Sequence, residues 1–127
     1  MTGPEQSGQN AEMERTIASP TGEGSGPGDG TALEFYIARL SDENEGIRWK
    51  AAESLGRLGD PAAVQPLIDT LWDDDFRVRI KAAWALGKIG DPQAIPPLQR
   101  LYRIENENVR EIIEKAMNEI KHRMSGE

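Results

Sequence analysis

The chain has 127 residues, no cysteine and one histidine, and 22 acidic against 15 basic side chains give it a formal charge of −7. This composition excludes a disulfide framework, a zinc–thiolate site and a thiol nucleophile, and a lone His122 leaves little material for a Ser-His-Asp triad or a His-rich metal centre. The acidic balance argues against nucleic acid, which needs a concentrated basic face, and no run approaches the roughly 18 apolar residues of a membrane span.

Residues 1–30 hold seven of the 13 glycines and three of the eight prolines among Ser, Thr, Gln and Glu. Such a segment buries too little apolar surface to offset the entropy of ordering, so a disordered tail is expected. The stretch Ala11–Ala18 (AEMERTIA) has the pattern of a short helix, too short to persist alone. No basic-then-apolar leader is present, and the expected setting is cytoplasmic.

From Thr31 the apolar residues take helical spacing. "TALE" reads as a capping box of Thr31 and Glu34, and Leu33, Tyr36, Ile37 and Leu40 form one stripe. A turn at "SDEN" leads into a second helix from about Glu45 to Leu58.

The chain then repeats itself. "LGRLGDPAAVQPL" from Leu55 returns as "LGKIGDPQAIPPL" from Leu86, a shift of 31 residues. In the same register Ile47, Val78 and Val109 align, as do Arg48, Arg79 and Arg110, and the alanine pair Ala51-Ala52 meets Ala82-Ala83. Asn44, Asp75 and Asn106 form a column of good N-caps, with Glu43, Asp74 and Glu105 just before them. A fixed period of this size marks stacked two-helix units.

The repeated "GDP" has a mechanical reading. Gly59 and Gly90 end a helix, Asp60 and Asp91 cap the next, and Pro61 and Pro92 take its first position. Pro66 and Pro97 are expected to bend the first helix of their units. Gly56 and Gly87 fall inside the second helix, at a cost of ~1 kcal/mol each against alanine, and are read as points where the next unit approaches closely. The equivalent residue of the third unit is Asn118, and no further unit follows; the last helix instead runs polar, "NEIKHRMSGE".

The unit "GDPAAVQPLIDTLWDDDFRVRIKAAWALGKIG" resembles a HEAT repeat, of the short variety found in phycobilin lyases and small archaeal proteins. The expected fold is an all-α solenoid of three HEAT-like hairpins, six helices, over residues 31–124 (units about 31–59, 60–90 and 91–124), with 125–127 a flexible end. The first unit departs from the pattern by lacking GDP and having Phe35 in the proline column, and the third by having Ile112-Ile113 for the alanine pair. The resemblance implies a macromolecule bound along the concave face of the second helices.

Resemblance to catalytic HEAT-like proteins finds little purchase. Deoxyhypusine hydroxylase is marked by iron-binding His-Glu pairs, and the corresponding positions here are Trp49-Lys50 and Ile80-Lys81. HEAT-like DNA glycosylases use a basic cleft. Phycobilin lyase subunits are longer and work in pairs. Asp73–Asp75 lacks the spaced ligands, central glycine and closing glutamate of a calcium loop, and reads as N-terminal helix charge pairing with Arg79, while the Arg48, Arg79 and Arg110 column facing Glu43, Asp74 and Glu105 reads as a structural ladder between turns. No catalytic residue, metal or cofactor is expected.

The core stripe is assigned to Ile47, Ala51, Leu55, Leu58, Val78, Ala82, Leu86 and Ile89. Offset from it, Trp49, Glu53, Ile80, Trp84, Glu111 and Lys115 share one face of the second helices by i, i+4 adjacency and by the repeat. The tryptophans either form a partner-binding hot spot on the concave side or fill seams between units; Trp72 is read as packing and His122 as solvent-facing. Lys50, Arg57, Lys81 and Lys88 flank this face with a broken basic strip, a mixture that suits a protein partner better than a phosphate backbone. The expectation is a non-catalytic protein-interaction module, a scaffold; the alternative is an accessory subunit of a lyase-like enzyme complex that holds a partner or a flat ligand. Three units are few for independent stability, so self-association stays open.

Overall fold

The computed structural model describes residues 30–126. The expectations for residues 1–29, the Ala11–Ala18 stretch included, and for residue 127 lie outside the described residues. Six α-helices follow one another: α1 Gly30–Arg39, α2 Glu45–Leu58, α3 Val64–Thr70, α4 Phe76–Ile89, α5 Ile95–Ile104 and α6 Glu107–Met124. No strand occurs among the described residues. The all-α solenoid reading holds.

The caps are where the sequence puts them. Asn44 accepts from the amides of Gly46 and Ile47 at 2.7 and 3.2 Å, Asp75 from Arg77 at 2.8 Å, and Asn106 from Val109 at 3.1 Å. Each satisfies amides that a helix start leaves without a partner and is worth ~1 kcal/mol. Gly59 and Gly90 close α2 and α4 with φ of 70° and 80°, a left-handed conformation that a Cβ would penalise. Asp60 and Asp91 then cap the following turn through the amides of Ala62 and Gln93.

Two local expectations change. The residues after each GDP form a 3₁₀ turn, Pro61–Ala63 and Pro92–Ala94, before the α-helix begins. Pro66 and Pro97 therefore occupy the third position of α3 and α5, where a missing N–H removes no intrahelical bond, and need not bend an established helix. At the other end of the domain, α1 already runs from Gly30, so Thr31 stands inside the helix rather than at its cap.

Within residues 35–126, α4 packs along α2 on one flank and α6 on the other, with α3 laid on α4 and α5 on α6. Leu55, Leu67, Leu71, Leu86, Leu98, Leu101, Ile113 and Ile120 are fully buried between these layers. Truncating one of them to alanine would cost ~2–5 kcal/mol. The alanines Ala52, Ala83 and Ala85 are buried as well and keep the second helices close.

That closeness explains the glycines. A Cβ on Gly56 would stand 2.9 Å from both Cα and Cβ of Ala85, and one on Gly87 would stand 2.9 Å from Cα of Ala116. Backbone cannot yield as a flexible side chain can, so a larger residue at either position must push the neighbouring helix away. Asn118, their counterpart in α6, is exposed.

The core stripe is narrower than the sequence reading. Ala51, Leu55, Val78, Ala82 and Leu86 are buried, but Ile47 and Ile89 are half-buried and Leu58 is 48% exposed. Leu58 lies at the last residue of α2, beyond the reach of the layer beneath it. Trp72 is also 45% exposed rather than packed, with the Arg100 guanidinium 5.9 Å above its ring.

Candidate functional site

Two rows of cations cross the seams between units. One lies by the turns that enter the second helices, the other along the helices themselves, and they differ in how completely they are paired.

The first row is the arginine column. Arg48 reaches from α2 to the following turn, where Nε and Nη2 donate to the two carboxylate oxygens of Asp73 at 2.8 and 3.0 Å. Its Nη2 also meets Asp74 at 3.1 Å, and its Nη1 donates to the carbonyls of Asp42 and Glu43. Burial alone would push the Asp73 carboxyl up, but the Arg48 guanidinium and the Asp75 amide hold it below its usual value. Hydrogen bonding to Asp73 in turn raises Arg48.

Arg79 repeats the arrangement one unit on, with Nε donating to Glu105 at 2.6 Å and Nη1 to the Asp73 carbonyl at 2.8 Å. Arg110, in the last unit, keeps only the carbonyl half, donating to Tyr102 and Arg103. The Asp73–Asp75 run therefore serves Arg48 of the preceding unit and Arg77, rather than the Arg79 side-chain pair read from the sequence. Asp75, hydrogen-bonded by Arg77, is lowered to about 2.

The second row centres on Lys81. Its ammonium lies 4.6 Å from the Trp49 ring centroid and 4.5 Å from that of Trp84. An indole face attracts a cation through its quadrupole, and two faces on one ammonium make a clamp. The nearest acid is Glu53, whose Oε2 is 3.9 Å away. Glu53 is held more closely by Arg57 at 3.0 Å, and this bond is the main reason its carboxyl lies below the usual range, against the effect of burial. Trp84 also covers Gly56, whose Cβ would come 2.7 Å from the ring. Both tryptophans lie against residues of the neighbouring unit and are half-exposed.

A groove opens on each side of the clamp. One, about 370 Å³, is lined by Asn44, Glu45, Gly46, Trp49, Asp75 and Arg77. The other, about 260 Å³, is lined by Trp84, Lys88, Ile112, Lys115, Ala116 and Glu119.

Of the residues expected on this face, Trp49, Glu53, Lys81 and Trp84 are brought together, and Arg57, Lys88 and Lys115 border them. Ile80 is half-buried, Lys50 and Glu111 are exposed, and none of the three enters the clamp. Glu119, expected among the acids that break up the basic strip, lines the second groove; Arg77 and Ile112 are additions to the expected face. The signal for Arg77 is present, since Arg77, Lys81, Trp84 and Lys88 follow helical spacing along α4. His122 is exposed, as expected.

A family model for HEAT repeats matches residues 33–118. The chain belongs to the HEAT-repeat family. Among solved structures it is similar to a chain in the complex of CpcE and CpcF of phycocyanin lyase from Nostoc sp. PCC7120, with 32% identity and a TM-score of 0.66. The likeness covers 70% of this chain and 37% of that one, so this HEAT-repeat chain matches little more than a third of its neighbour's length. A search of the curated proteins gave no match. Among the described residues, no helix is long and apolar enough to cross a membrane.

Proposed function

We propose that this HEAT-repeat chain is a non-catalytic protein-interaction module whose docking face is the concave face of the stacked second helices α2, α4 and α6, centred on Trp49, Lys81 and Trp84. The observation that carries the reading is the clamp itself: two half-exposed indoles hold one ammonium, with a groove on either side. Large aromatic side chains that keep an open face on a rigid layer supply contact area at small entropic cost, which is why tryptophan is frequent at the centre of interfaces. Glu53, Arg57, Lys88, Glu111 and Lys115 border the centre and would orient the partner.

The alternative is an accessory subunit of an enzyme complex, with the same face holding a partner or a flat ligand. What favours it is the likeness to a chain of a two-subunit phycocyanin lyase complex. Both readings place a protein partner against the chain.

The test is a photo-crosslinking side chain placed at the exposed Glu111 on α6, and separately at the exposed Gln99 on α5. In lysate of the native source, the first position is expected to give a discrete protein adduct and the second none. An adduct from Gln99 alone would move the docking face to the first helices and overturn the assignment.

A further inference from the structure

Resting on that reading, we infer that the partner presents an acidic peptide segment, and that the Trp49–Lys81–Trp84 clamp receives one of its carboxylates. Only 18% of the Lys81 side chain is exposed, yet among the described residues its ammonium makes no hydrogen bond to a protein acceptor, and Glu53 stays 3.9 Å away. The indole faces hold the charge but satisfy none of its three donors. A carboxylate arriving from outside would supply a short, charge-assisted hydrogen bond in partly desolvated surroundings.

The neighbouring charges point the same way. Three acids of the face are already occupied: Glu53 by Arg57 at 3.0 Å, Asp75 by Arg77 at 2.9 Å and Glu119 by Lys88 at 3.3 Å. Lys81, Lys50 and Lys115 remain against Glu45 and Glu111, which leaves a positive excess on a chain whose overall charge is −7. A peptide with one or two carboxylates can meet these cations and avoid the acids. A nucleic-acid backbone, charged at every step, would lie across Glu45, Asp75 and Glu119 as well. The two grooves each have an indole as one wall. They would take apolar side chains on either side of the carboxylate that reaches Lys81, so the preferred sequence has an acid flanked by apolar residues.

Selection of a random-peptide phage library on the whole chain tests this. Peptides enriched in Asp or Glu beside apolar residues are expected, and they should quench tryptophan fluorescence on binding. Lys81→Gln should weaken the selected peptide about tenfold, and Lys81→Arg should restore much of the loss. Enrichment of basic or uncharged peptides, displacement by a single-stranded oligonucleotide, or an unchanged Kd in Lys81→Gln would overturn the inference. Should Lys81→Gln fail to fold by circular dichroism, the exposed pair Lys50→Gln, Lys115→Gln serves instead; a severalfold loss is expected, and an unchanged Kd overturns the inference. A Glu111 crosslink without acidic selection would sink the acidic class while the docking face stood.

Discussion

Arg48 and Lys81 are both cations at a seam between repeat units, and both are mostly buried, but they have opposite surroundings. Arg48 commits its guanidinium to two carboxylates and two carbonyls of the protein itself. Lys81 has two indole faces and a loose ion pair, 3.9 Å, with a Glu53 that Arg57 holds more closely. A seam that exists only to hold units together should look like the first. The second keeps donors open and leaves its indoles half-exposed, and this difference is what the proposed docking face rests on.

This contrast is sharpest in Arg48→Met. It strips Asp73 of its partner in a site where both side chains are close to nine-tenths buried, and should cost about 2 kcal/mol in urea unfolding. A loss under ~0.5 kcal/mol would mean the arginine row is as dispensable as an exposed pair.

Gly87→Ala comes next. Its Cβ would press on the backbone of Ala116, and overpacking of this kind should outweigh the gain in helix propensity, leaving a net loss of ~1–2 kcal/mol. Asn118→Ala, at the matching position with no unit beyond, should change stability by less than ~0.5 kcal/mol. Equal effects at the two sites would remove the distinction between internal and terminal units.

A smaller effect appears with pH. The Asp73 carboxyl lies below its usual value when folded, so the unfolded chain binds its proton first as pH falls. The stability this pair contributes is complete above the unfolded carboxyl pKa of about 4 and is lost as pH falls through it toward the folded value. Urea midpoints measured across that window should drop, and Asp73→Asn should flatten the slope.

Much of this was legible in the sequence. The 31-residue register, the Asn and Asp caps, the GDP stop-and-start and the packing glycines each follow from one residue's backbone or size, and the structure agrees with them. What the register could not show is who touches whom across a seam. Side-by-side helices meet through opposite flanks, so contacts join unlike columns of the repeat. Gly56 meets Ala85 rather than Gly87, and Trp49 meets Lys81 rather than Ile80. The ladder of arginines against the acidic column holds for Arg79 with Glu105 and for Arg48 with Asp74, but Arg48 pairs chiefly with Asp73, one column over. Leu58 was placed in the core by periodicity alone, which carries no information about where the layer below ends.

The smallest expected change in stability carries the most meaning. Lys81→Met keeps the stem and loses the charge, and should leave the unfolding free energy in urea within ~0.5 kcal/mol of the parent, because apolar contact replaces cation–π attraction.

The most direct measurement sets Arg48→Met beside Lys81→Met, reading urea unfolding and the yield of the Glu111 photo-crosslink in each. The account predicts a crossed result: Arg48→Met loses stability and keeps its crosslink under conditions where it is folded, and Lys81→Met keeps stability and loses its crosslink. If Lys81→Met instead unfolds as readily as Arg48→Met, with crosslink yield unchanged in the folded fraction, the clamp is a structural seam and the docking face lies elsewhere.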